Sequence, residues 1–135
     1  MTSSKTAEKT AMSFRRAFEA EHARRDAERH EREEAERRQQ EEDLARAVQL
    51  HDAIAEDAAF LREKGITLDR RRYTVSLQHP DFVIDAYFEA GRANVRSADK
   101  RTATTQTGAP RKSQMVDSVE DALTLMAQYL ADETH

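Results

Sequence analysis

The chain has 135 residues, room for one small globular domain and an extension, and 36% of them are charged against 38% hydrophobic, at a mean hydropathy of −0.91. It has no cysteine, which excludes disulfides, thiolate zinc sites and cysteine nucleophiles, and a net charge of −4 with a pI near 5.8 argues against generic nucleic-acid binding. The longest uninterrupted apolar run is Ala58 to Leu61, so no membrane span is expected, and without a secretory leader pattern near the N-terminus the expected location is cytoplasmic.

All three glycines (Gly65, Gly91, Gly108) and both prolines (Pro80, Pro110) lie at or beyond residue 65. A stretch of about 60 residues rich in Glu, Arg, Ala and Gln, with neither breaker, predicts one long helix from about Ser4 to Lys64. Gly65 is placed to cap it in the left-handed conformation, behind Arg62 and Lys64. Near the start, Phe14 and Phe18 lie one helical turn apart beside Arg15 and Arg16, a candidate docking tip.

Residues 19–43 contain acid–base pairs at i,i+4, among them Glu21–Arg25, Glu28–Arg32, Glu33–Arg37 and Glu34–Arg38. Each is worth about 0.2–0.5 kcal/mol on an exposed helix, so the segment can be helical without an apolar face. Heptad core positions would hold Arg, Glu, His and Asp, which does not support a tight coiled coil. Residues 1–43 are therefore expected to be a charged helical extension, and residues 44–135 the domain.

From Leu44 to Leu61 the apolar residues cover about half of the helical wheel, wider than a two-helix seam. One flank (Leu50, Ile54, Leu61) and the other (Leu44, Val48, Ala55, Ala59) suit two neighbours, the chain's own sheet and a second copy. The expected oligomer interface is Leu44, Val48, Leu50, His51, Ile54, Ala58 and Leu61, with His51 in mid-arc.

After Gly65 the period changes to two. Tyr73, Val75 and Leu77 alternate with polar residues, Gln78-His79-Pro80-Asp81 signals a turn, and Phe82, Ile84, Ala86 and Phe88 share one face of a second strand. A two-residue loop at Ala90-Gly91 pairs Phe88 with Ala93, Ala86 with Val95, Glu89 with Arg92 and Asp85 with Arg96. A four-residue loop at 78–81 pairs Leu77 with Phe82 and Val75 with Ile84, and sets Arg72 beside Tyr87 and Arg70 beside Glu89. Both loops put the same residues of the second strand inward.

Residues 101–107 are read as a candidate fourth strand and Gly108 to Ser113 as a loop. Ser118 is placed to cap the last helix, which buries Val119, Ala122, Leu123, Met126 and Leu130, with Leu125 and Tyr129 at the margin. One core is expected from Val75, Ile84, Phe88, Val95, Leu123, Met126 and Leu130. The fold class is thus α+β, a long charged N-terminal helix, a small antiparallel meander of three or four strands, and a C-terminal helix packed on the sheet.

The glycine spacing excludes a phosphate-binding loop, a dinucleotide fingerprint and a nucleophile elbow, and the five histidines show no metal-ligand spacing. No catalytic residue, metal or cofactor is expected. Residues 66–116 carry net charge +4 and residues 117–135 net −5. Arg71, Arg101, Arg111, Lys100 and Lys112 are therefore candidate contacts for nucleic acid or another partner. Helix, three strands, helix over residues 44–131 resembles the double-stranded RNA-binding domain in topology. That family begins its last helix with lysines, whereas Ser118-Val119-Glu120-Asp121 is acidic, so no family is assigned. The expected function is a non-enzymatic homo-oligomer, a dimer, that binds a protein partner. The alternative is a nucleic-acid-binding module, or a small inhibitor of a nucleoprotein complex.

Overall fold

The computed structural model describes residues 13–101 and 109–134. The fold is α+β. Helix α1 (Phe14–Ala55) is followed by a short helix α2 (Ala58–Glu63) and five strands, β1 (Thr67–Arg71), β2 (Thr74–Gln78), β3 (Phe82–Glu89), β4 (Arg92–Asp99) and β5 (Ala109–Val116). Helix α3 (Val119–Thr134) closes the chain. The strands form one antiparallel meander in the order β1-β2-β3-β4-β5. The chain divides into two compact units between Arg37 and Arg38.

In the first unit, α1 starts at Ser13, whose Oγ accepts the Arg16 N–H at 3.2 Å as an N-cap. The expected helix start near Ser4 lies outside the described residues. Charge pairing then supports this helix. The Arg25 Nε donates to Glu21 at 2.8 Å and the Arg24 guanidinium bridges Glu21 and Glu28. Hydrogen bonds from Arg24 and then Arg25 hold the Glu21 carboxyl at about 2, against its usual 4.5.

The second unit begins with the apolar part of α1. The expected unbroken helix to Lys64 is instead interrupted at residues 56–57, where Asp57 has φ −104° and ψ 39° and its side chain makes no capping bond. No glycine or proline marks this break. It lies where the chain leaves α1 for β1, and the exit is fixed by tertiary packing. The Ile66 N–H bonds to the Leu61 carbonyl and the Gly65 N–H to that of Arg62, with Gly65 at φ +72° as expected. Leu61 and Ile66, at the two ends of this cap, are both buried.

Two corrections concern the sheet. The β3–β4 register is the expected one: Phe88↔Ala93, Ala86↔Val95, Asp85↔Arg96 and Glu89↔Arg92. The β2–β3 register is displaced by two residues, to Val75↔Ala86 and Leu77↔Ile84. The His79 N–H reaches the Phe82 carbonyl at 3.0 Å, so the loop is the two-residue Pro80-Asp81 rather than four residues. A shift of two preserves the faces: Phe88 is buried and Tyr87 points out.

The second correction is the number of strands, five among the described residues rather than three or four. A turn at Arg72-Tyr73, with Arg72 at φ +52°, splits off β1, so Arg70 and Arg72 do not sit beside Glu89 and Tyr87. Residues 109–113, read as loop, belong to β5, with Pro110 on an edge strand that tolerates the lost donor. Of the candidate strand at 101–107, residues 102–107 lie outside the described residues.

Ala47, Leu50, Ile54 and Leu61, the inner faces of β2 to β4, and Ala122, Leu125, Met126, Tyr129 and Leu130 form one core. Each large side chain fully buried there is worth about 1.5–3 kcal/mol. Leu123 is not part of it; it is 36% exposed, while Leu125 and Tyr129, placed at the margin by the helical wheel, are buried. Ser118 caps α3, its Oγ accepting the Asp121 N–H at 3.0 Å.

Candidate interaction surface

The interface residues expected on α1 and α2 separate into two sets. Leu50, Ile54 and Leu61 are buried in the chain's own core and are not a surface. Leu44 and Ala58 are exposed, and Val48 and His51 are half-buried. The second flank of the arc is therefore only partly covered, with Leu44 and Ala59 exposed and Val48 and Ala55 half-buried. His51 Nδ1 lies 3.1 Å from the Asp52 carboxylate.

Beyond the break, α2 and α3 border an apolar pocket of about 110 Å³, floored by Leu77, Ile54 and Met126 and walled by Leu61. Phe60 (46% exposed) and Leu123 (36% exposed) stand on its rim. Neither was singled out as surface by the sequence. A helical wheel puts Phe60 outside the apolar arc, in keeping with its exposure, but does not show that a pocket lies beside it. Leu123 keeps helical spacing with Met126 and Leu130 and so reads as core. In the first unit, Phe14 and Phe18 are both exposed, Phe18 with its ring 5.7 Å from that of His22.

The basic residues expected to touch nucleic acid are engaged within the chain where their side chains are described. The Arg71 Nε lies 3.3 Å from Asp69, and Lys100 donates to Gln78 Oε1 at 2.9 Å and the His79 carbonyl at 3.0 Å. Arg101 donates to Asp99 at 3.1 Å, which pushes its pKa up, and lies 3.7 Å from the buried Glu133 carboxylate. Glu133 also accepts the Ser97 hydroxyl at 3.2 Å. Lys112 pairs with Asp132 and sits over the Tyr129 ring. Arg111 falls on β5, and its side chain lies outside the described residues.

The outer sheet face is likewise neutralised. Arg96 grips Asp85 with two donors, at 2.7 and 3.3 Å, a hydrogen-bonded pair that raises the arginine's pKa. Arg92 donates to Asp117 at 2.7 Å. A phosphate approaching these cations would have to displace a carboxylate already in contact. Among the described residues, no group of three His, Asp or Glu is placed to hold a metal ion, and no helix is long and apolar enough to cross a membrane.

The sequence missed one structural site. The Asp43 carboxylate, on α1, accepts the Ala90 and Gly91 N–H groups, each at 2.9 Å, and is 4% exposed. Gln39 and Arg46 donate to the same carboxylate. Its only sequence signal is an acid in the inward arc of α1 among Ala47, Leu50 and Ile54. Comparison of the chain with family models, with curated proteins and with solved structures gives no match in any of the three.

Proposed function

We propose that this chain is a non-enzymatic protein-interaction module that works as an oligomer, a small α/β domain continuous with a charged helix. The observation that carries this reading is the distribution of apolar surface. The domain closes its core yet leaves Leu44, Phe60 and Leu123 exposed, the last two around an apolar pocket. Buried apolar contact is the main driving force of association, and clustered exposed apolar side chains mark contact sites. Light scattering between 1 and 100 µM tests the reading. A mass of at least twice 15.5 kDa is expected. A mass of 15.5 kDa throughout that range would overturn the oligomer.

The nucleic-acid alternative is the weaker reading because Arg71, Arg101 and Lys112 each lie against an acid of the same chain. Titration with duplex RNA, duplex DNA and single strands at low and physiological salt checks it. Micromolar or tighter binding that strengthens as salt falls, and is lost in an Arg111→Ala/Lys112→Ala double variant, would replace the protein-interaction reading.

A further inference from the structure

The geometry points to a second copy of this chain as the occupant of the pocket between α2 and α3, docked about a two-fold axis so that each copy's Phe60 enters the other's pocket. This rests on the oligomeric reading above and names its site.

Three observations carry it. The first is size. An open pocket of about 110 Å³ is smaller than the sealed cavity of roughly 150 Å³ that takes a benzene ring, so it has room for no more than one side chain, and not for an extended peptide or a drug-sized ligand. The second is that ring and pocket lie on one patch. Phe60 is on the rim of the pocket it does not fill, and 46% of it is in solvent. A two-fold interface needs such self-complementarity, donor and acceptor on the same surface, because both copies present the same face.

The third is charge. Glu56 and Asp57 precede α2, whereas Arg62 and Lys64 lie at its far end and outnumber Glu63 there. Antiparallel docking of two α2 helices sets the acids of each copy against the bases of the other. Across the sheet and α3, the described basic residues other than Arg72, which lies over the Tyr73 ring, already have acidic or polar partners within the chain. Among the described residues, Glu56, Asp57 and Arg62 have no side-chain ion pair or hydrogen bond, and Lys64 contacts only the Phe60 ring, at 5.8 Å. The charges at the two ends of α2, of which Asp57 lines the pocket, are thus available to a partner, with a polarity that fits a second copy.

Sedimentation equilibrium on the full chain tests this with three variants. Phe60→Ser removes the ring. Arg62→Glu/Lys64→Glu makes both ends of α2 acidic, and Glu56→Lys/Asp57→Lys makes both basic. We expect Phe60→Ser to raise the dimer dissociation constant at least about 30-fold, as loss of a central aromatic anchor does. Each charge-reversed variant should dimerise more weakly than wild type, and an equimolar mixture of the two should recover a heterodimer. The charge variants alter exposed positions only, so they report even if Phe60→Ser misfolds. If wild type dimerises but folded Phe60→Ser dissociates as wild type does, or the mixture associates no better than its components, this site is wrong and the oligomeric reading stands. A monomeric wild type would overturn both.

Discussion

Asp43 shows how much one side chain can decide in a domain of this size. The turn between β3 and β4 places Ala90 at φ +53° and Gly91 at φ +80°. Left-handed backbone suits glycine but costs a residue with a Cβ about 1–2 kcal/mol. The Asp43 carboxylate offsets that cost by accepting both turn N–H groups from α1. Two opposite results should follow in urea unfolding. Asp43→Ala should lose about 2–3 kcal/mol, because hydrogen bonds to a charged acceptor disappear and the turn keeps its strain. Ala90→Gly should gain about 0.5–1 kcal/mol, since it relieves the backbone without touching the carboxylate. A neutral Asp43→Ala would show that the turn holds its shape unaided.

At the scale of elements, α1 is held by different forces along its length. Over residues 14–37 it depends on exposed ion pairs, individually weak and screened by salt. From Ala47 to Ile54 it is held by burial. Glu21 makes the first kind measurable. Its carboxyl is depressed from 4.5 to about 2 by Arg24 and Arg25, so its contribution to the helix is fully present above pH 4.5. It falls away as the pH drops from there through about 2. Carboxyl-detected NMR should find Glu21 titrating near 2, and an Arg24→Gln/Arg25→Gln variant should return it toward 4.5. A wild-type midpoint at 4.5 would mean the pairs do not persist in water. The strands are punctuated by two-residue turns at 72–73, 80–81 and 90–91, each close enough to pin the register on either side.

For the molecule as a whole, one shared core should set the stability of the second unit. Ile84 and Phe88 are fully buried between the sheet and its helices, and truncating either to Ala should cost about 2–5 kcal/mol. Asp85→Asn, a change in a partly solvated pair with Arg96, should cost under about 1 kcal/mol in the same urea assay. Equal losses at the two sites would show that the ion pair, rather than the apolar layer, limits stability. Amide hydrogen exchange should be faster over residues 19–37 than over β3, because no apolar face of that helical segment is buried. Protection equal to that of Ile84 would require a covered face on the charged segment.

The sequence by itself determined the features that depend on neighbours a few residues away. Breaker-free charged sequence, Gly65 and Ser118 as caps, the Ala90-Gly91 hairpin and the two-residue alternation of β3 are local, and each is present in the structure. Alternation fixes which side chains point inward, and a register error of an even number of residues leaves that answer unchanged. This is why Val75, Ile84 and Phe88 were legible as core although the β2–β3 pairing was off by two. Only the tertiary structure decided the rest. The break at 56–57 has no local breaker and follows from burying Leu61 and Ile66 as the chain turns toward β1. β1 and β5 are edge strands with polar sequences, formed because a neighbour offers a free row of backbone groups. The pocket beside Phe60 and the exposed state of Leu123 likewise depend on where α2 and α3 come to rest, and a helical wheel drawn from the sequence holds no information about that placement.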